Sequence, residues 1–180
     1  MQKIKYPILN PVLILIGILL ILAFSSISSA TEVDIYQGRI DRLIYGDVYT
    51  TFGKSESEIV ARIGPPMNTE TRTFPNPHVK DTTDTHVKLL YKGLSIDLLR
   101  SGATDKDLLV RVVLEEPGYA FSVDLGIGSK RKDLEAYLGP PWKTDDSVNL
   151  IYGDAERNSK VTFKLVKDEV KSITWSYYFD

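Results

Sequence analysis

Only two imidazoles, His78 and His86, occur in the chain, and they stand with Asp81 and Asp84 in the segment FPNPHVKDTTDTHVK. Two histidines with seven residues between them, together with two acids, are the donor types of a metal site. The spacing follows no recognised ligand pattern, and a closed site wants four well-placed ligands. The other reading is a polar loop leading into a strand, and it is the one adopted here. The segment GIGSKRK, Gly126 to Lys132, looks like a phosphate-binding loop but lacks the Gly-x4-Gly-Lys-Ser/Thr spacing. Lys130, Arg131 and Lys132 nevertheless open a helix, where the macrodipole disfavours cations. Contact with an acidic partner is one explanation; a solvated basic turn offset by Asp133 and Glu135 is the other. Cysteine is absent, no Gly-x-Ser-x-Gly occurs, and the adjacent acids Glu115-Glu116 and Asp145-Asp146 fall where turns expose them to solvent. These residue types lead to an expectation of no catalysis, no cofactor and no metal.

The elements that would position any site are marked by a repeat. FGKSESEIVARIGPP, Phe52 to Pro66, aligns without a gap on IGSKRKDLEAYLGPP, Ile127 to Pro141. Gly53 matches Gly128, Ile59 matches Leu134, Ala61 matches Ala136 and Ile63 matches Leu138. Each segment predicts a short amphipathic helix. Ser55 with Glu58 has the pattern of a capping box, and Ser129 offers an N-cap in the second copy. Glycine in a left-handed conformation closes the last turn, and the prolines after it cannot continue the helix. Helices this short need an apolar surface to lie on. Strands supply it: VKLLY, LSIDLL and LLVRVVL follow the first Gly-Pro-Pro, and VNLIY, KVTFKLV and VKSITWSYYF follow the second.

The stretch VDIYQGRIDRLIY, Val33 to Tyr45, aligns on FKLVKDEVKSITW, Phe163 to Trp175, and reads as a third hairpin. The expectation is an α+β fold: an antiparallel β-sheet with short helices on one face, built as a β-hairpin followed by two tandem helix-plus-three-strand units. The boundaries are 31–52 for the hairpin and linker, 53–124 for the first unit and 125–180 for the second.

Residues 1–30 carry Lys3 and Lys5, the apolar run Val12 to Phe24 and then SSISSA. That pattern reads as a secretory signal cleaved after Ala30. Counted from Ile8, the apolar stretch also suits an uncleaved anchor to the inner membrane through residues 8–24. Either way the remainder lies outside the cytoplasm, periplasmic or secreted. Without Lys3 and Lys5 that remainder has 20 basic and 24 acidic residues, a net charge of −4 that does not suit nucleic acid. With no cysteine it is held by packing alone.

A short helix opened by Gly-Ser and closed by Leu-Gly-Pro-Pro, followed by a Tyr-containing strand and a hairpin, resembles the small outer-membrane-assembly lipoproteins of the SmpA/OmlA (BamE) family. Two such units in tandem are similar to the arrangement of the beta-lactamase inhibitory proteins. The resemblance covers Gly53 to Pro66, Gly128 to Pro141 and the strands after each. It implies a non-enzymatic protein that binds others across an exposed sheet or its loops. The lipid-bearing cysteine of the first family and the disulfides of the second are missing here.

Differences between the two units point to candidate contact residues. Twenty residues separate Pro66 from Val87, against six between Pro141 and Val148, and a loop of that length reads as functional or mobile. It holds Phe74 and His78, with Phe74 the candidate anchor. Alternation along the last strand places Trp175, Tyr177 and Phe179 in the core and leaves Tyr178 and Trp142 as exposed aromatics. With Lys130, Arg131 and Lys132 these form the expected partner-binding set. The function expected is an exported protein-binding module, an inhibitor or immunity-type protein acting on another exported or envelope protein. The alternatives are a membrane-anchored accessory of envelope assembly and a metal or small-ligand binder using the His78 to His86 loop.

Overall fold

The computed structural model describes residues 32–119, 121, 124–146, 148–156 and 158–178. The chain divides into two compact units, Met1–Ile35 and Tyr36–Asp180. Residues 32–35 of the first unit are helical; the signal or anchor reading of residues 1–30 lies outside the described residues.

The second unit opens in a helix, α1, over 36–51, whose middle is a π-helical stretch, Arg42–Asp47. This corrects the hairpin expected over Val33 to Tyr45. The buried residues Ile40, Leu43, Ile44 and Val48 are spaced three and four apart, the period of a helix. The alternation read as period two came from the exposed Val33 and Ile35 preceding that stripe.

Helices α2, Glu56–Ile63, and α3, Arg131–Leu138, lie where the repeat placed them. The Ser55 hydroxyl accepts from the Glu58 amide at 3.3 Å, while Glu58 Oε2 accepts from the Lys54 amide at 3.0 Å, one residue earlier than a capping box places it. Ser129 does not cap α3: the N-cap is Lys130, and the Ser129 hydroxyl accepts from the Gly126 amide instead. Both helices end as expected, at Gly64 with φ 85° and Gly139 with φ 77°. A tyrosine then secures each stop. Tyr91 donates to the Gly64 carbonyl at 3.1 Å, and the fully buried Tyr152 donates to the Gly139 carbonyl at 3.2 Å.

Eight strands follow: β1 Asn68–Pro75, β2 Thr83–Tyr91, β3 Leu94–Ser101, β4 Lys106–Leu114, β5 Lys143–Asp145, β6 Asn149–Gly153, β7 Lys160–Val166 and β8 Glu169–Ser176. They form one antiparallel sheet in the order β1-β2-β3-β4-β8-β7-β6-β5. Four strands therefore follow each helix, where three were expected. The long loop after Pro66 is a hairpin of β1 and β2. In NTETRTFP the β-branched threonines suit an extended chain, but both sides of the strand are exposed, so no apolar alternation marks it. Asn76 closes the turn, its Oδ1 accepting from the amides of His78 and Val79 at 2.8 and 2.7 Å.

The sheet buries one face. Val87, Leu89, Ile96, Leu98, Val112, Leu114, Tyr152, Val161, Phe163, Ile173 and Trp175 share a core with Ile59 of α2, Leu134 and Leu138 of α3 and the stripe of α1. The helices thus lie on one face, as expected. The two meanders meet at β4 and β8, through the four register pairs from Arg111–Ser176 to Leu114–Ile173.

The two helix stops differ in their surroundings. A methyl on Gly64 meets nothing, whereas one on Gly139 comes within 2.8 Å of the Tyr36 ring. Gly64→Ala is expected to cost about 1–3 kcal/mol, the strain of a backbone region (φ 85°, ψ −179°) that is essentially glycine's alone. Gly139→Ala is expected to cost at least about twice that, because overpacking adds to the strain. Urea unfolding of the two variants checks the order. In the same assay Tyr152→Phe should lower stability by about 1 kcal/mol, for the lost bond to a buried carbonyl.

Candidate functional site

Strand register defines the face of the sheet that the helices leave open. Glu70 stands opposite Lys88, Lys88 opposite Asp97, and Asp97 opposite Arg111. This row across β1 to β4 alternates in sign at every strand, so each charge has opposite neighbours. One step along, the facing residues are Arg72, His86, Leu99 and Leu108. His86 Nε2 approaches Asp97 Oδ1 at 3.2 Å, tying the two rows together. A β-bulge opposite Asp97 and Leu98 leaves Val110 of β4 without a partner on β3. Val110 completes a depression of about 320 Å³ with Arg72, Phe74, His86 and Leu99. On the other side of the charge row Leu90, Val113 and Ile151 are half-buried, alternating with Ser95, Thr174 and Thr162 across the strands.

Of the expected contact residues, Phe74 lies on this face, half-buried, as a wall of the depression. Sequence reasoning placed it on a loop; it is on β1. His78 is exposed in the turn between β1 and β2. Trp142 is 47% exposed just before the edge strand β5, and Tyr178 is 63% exposed just beyond the central strand β8. Trp175 and Tyr177 are buried as expected, and Phe179 lies outside the described residues. The fold therefore distributes the expected set over several places. Arg72, Leu99 and Val110 were missed, although Leu98-Leu99 and Leu108-Leu109-Val110 gave a signal: adjacent apolar residues on a strand place apolar side chains on both faces.

The basic residues at the start of α3 are largely committed to neighbours. Lys130 Nζ pairs with Glu169 Oε1 at 2.6 Å and Arg131 Nε with Glu135 Oε1 at 2.8 Å; Lys132 is exposed. Hydrogen bonds from Lys130 and Lys171 pull the Glu169 carboxyl down to about 2. In the 78–86 segment Asp84 and His86 are likewise engaged, while His78 and Asp81 are exposed. Asp84 accepts from the Asn76 amide group at 2.9 and 3.0 Å and from the Gly102 amide at 3.0 Å, while His86 faces Asp97. Among the described residues no group of three or more His, Cys, Asp or Glu is placed to hold a metal.

A larger cleft, about 1000 Å³, opens at the start of α2 between Lys54, Glu56, Glu58, Arg100, Lys106 and Asp107. Its charges bind one another. Arg100 reaches Glu56 Oε2 at 2.7 Å and Asp107 Oδ1 at 2.8 Å, and Asp107 Oδ2 also accepts the Glu56 amide at 2.9 Å. Asp107 and Glu56 together raise the guanidinium's pKa. Burial alone would raise the Asp107 carboxyl; the bonds from Arg100 and the Glu56 amide outweigh it and hold the carboxyl below its ordinary value. A carboxyl lowered in the folded state stabilises fully above its unfolded pKa and loses that contribution as the pH falls. Asp107→Asn is therefore expected to lower the urea midpoint at neutral pH. The gap from wild type should close as the pH falls through and below 3.8, the ordinary carboxylate value.

No protein-family model and no curated protein sequence matches the chain. Among solved structures it is similar to an extracellular protein containing a SCP domain from Bacillus anthracis, at 10% identity and a TM-score of 0.48. The match covers 73% of this chain and 45% of that one, so the chain spans under half of that protein's length. Among the described residues no helix is long and apolar enough to cross a membrane.

Proposed function

We propose that the chain is an exported, non-catalytic protein-binding module, an inhibitor or immunity-type protein that receives its partner on the open face of its sheet. The observation that carries this is the depression between Arg72, Phe74, His86, Leu99 and Val110, set beside a charge row that neutralises itself. A shallow apolar hollow rimmed by paired charges suits an aromatic or aliphatic side chain of another protein. His86 stands between Arg72 and Leu99 across the strands, and neither is a nucleophile that its imidazole could activate. Export rests on the charged, apolar and small-residue order of residues 1–30.

The architecture is read here as two tandem copies of one helix-plus-meander unit. Three correspondences support it: helices of eight residues, positive-φ glycines at Gly53 and Gly128 and again at Gly64 and Gly139, and the tyrosine donating to each helix-stopping carbonyl. A second reading, a membrane-anchored accessory of envelope assembly, keeps the same face and is favoured by the apolar residues 8–24.

Photo-crosslinking residues placed at Leu99 and at His78, in cells that make the protein, test the proposal. One exported protein is expected from Leu99 and not from His78. Leu99→Glu is expected to weaken its binding at least about ten-fold, as for a central contact. Capture from His78 alone, or equal binding by Leu99→Glu, overturns the assignment of the open face. Recovery of outer-membrane-assembly components from Leu99 selects the accessory reading.

A further inference from the structure

The two edges of the sheet are unlike. The β5 edge is three residues long and follows Pro140 and Pro141, so it offers little to pair with. The β1 edge runs for eight residues, Asn68–Pro75, and among the described residues nothing pairs with its outer side. Its hydrogen-bonding parity is set by β2. Asn76, in register opposite Thr82, donates its amide to that carbonyl at 2.9 Å, and the two-residue turn between Tyr91 and Leu94 commits the odd-numbered residues of β2 to β3, so even-numbered residues of β1 turn their backbone groups inward to β2. Thr69, Thr71 and Thr73 therefore turn their N–H and C=O groups outward, away from the sheet. Pro75, the next outward position, has no N–H and ends the row.

We infer that this edge pairs with β1 of a second copy of the chain, antiparallel, with Thr71 opposite Thr71 of the copy. The backbone allows it: Thr71 exchanges both bonds with its counterpart, and each Thr69 exchanges both with the opposing Thr73. Charge selects this register. Glu70 falls opposite Arg72 of the copy, and Arg72 opposite its Glu70, at the non-hydrogen-bonded positions where side chains approach most closely. Shifting to the next register permitted by the backbone puts Glu70 opposite Glu70, or Arg72 opposite Arg72, and like charges repel. Among the described residues neither Glu70 nor Arg72 has an ion-pair partner within its own chain. The pairing also extends the row already present, which alternates from Arg111 to Asp97, Lys88 and Glu70 and would continue at a cation. On the helix side Thr69, Thr71 and Thr73 are exposed, so among the described residues no helix overlies the edge where the copy must fit. The two-fold axis is perpendicular to the sheet, and both open faces point the same way.

The chain has no cysteine, so Thr71→Cys introduces the only thiol. The experiment measures crosslinking of full-length Thr71→Cys chains by a short bis-maleimide, in non-ionic detergent, with Thr174→Cys as the control for random encounter. Thr71→Cys is expected to give a covalent dimer well above the control. Adding Glu70→Arg, or separately Arg72→Glu, should lower the yield roughly ten-fold, since like charges then face each other at two positions. Mixing these two variants, distinguished by tags, should restore crosslinking between unlike chains only, because each charge again meets its opposite. Both substitutions lie at exposed positions, and unchanged melting temperatures show that the fold is kept. A Thr71→Cys yield no higher than the control overturns the proposal. Yields indifferent to the charge changes, or a mixture that fails to recover, overturn the register.

Discussion

Trp175 stands on β8 opposite Val112 of β4, in the short seam that joins the two halves of the sheet, and its indole N–H donates to the Leu43 carbonyl of α1 at 3.2 Å. Tyr177 repeats the contact one step along, its hydroxyl donating to the Ile44 carbonyl at 2.6 Å. Four register pairs alone make a weak joint between two four-stranded meanders. The helix laid over that joint makes it part of a continuous core. Ile44, Val48 and Phe52 are fully buried there, against Trp175 and the aromatic side chains of Tyr119 and Phe121.

The same helix reaches both halves. Arg39 donates to the Tyr137 carbonyl and lies over its ring, Gln37 bonds the Gly153 carbonyl, and the Tyr45 hydroxyl bonds Asp154. At its other end Arg62 of α2 donates to the Tyr49 and Thr50 carbonyls, satisfying groups that a helix end leaves open. Burying Asp154 carries no orphaned charge, because the amides of Asn158 and Ser159 and the Tyr45 hydroxyl all donate to it. The element therefore contributes through bonds to several strands and helices as well as through its apolar stripe.

Helices α1, α2 and α3 occupy one face, and among the described residues nothing covers the other. A sheet covered on one side usually has a polar outer face. Here the outer face keeps leucine and valine beside the row of alternating charges, and the depression at Val110 exists because the bulge in β4 displaces one residue from the ladder. The free edge of β1 borders the same surface, so a second copy and a binding partner would use adjoining parts of the molecule that meet at Arg72.

Much of the architecture was legible in the residues. The two helices, their glycine stops, six of the strands and the burial of Trp175 and Tyr177 followed from period and from the chemistry of Gly and Pro, which act within a few residues. Local information was ambiguous over Val33 to Tyr45, where apolar positions fit two periods. The choice was made by tertiary contact: the carbonyls of Leu43 and Ile44 meet Trp175 and Tyr177 more than 130 positions away. Strand β1 was hidden for the opposite reason. It buries no face, so its pairing with β2 is what makes it a strand. The site divides in the same way. Phe74 could be picked out by type, but its company of Arg72, His86, Leu99 and Val110 is created by register across three further strands, which no one segment of sequence contains.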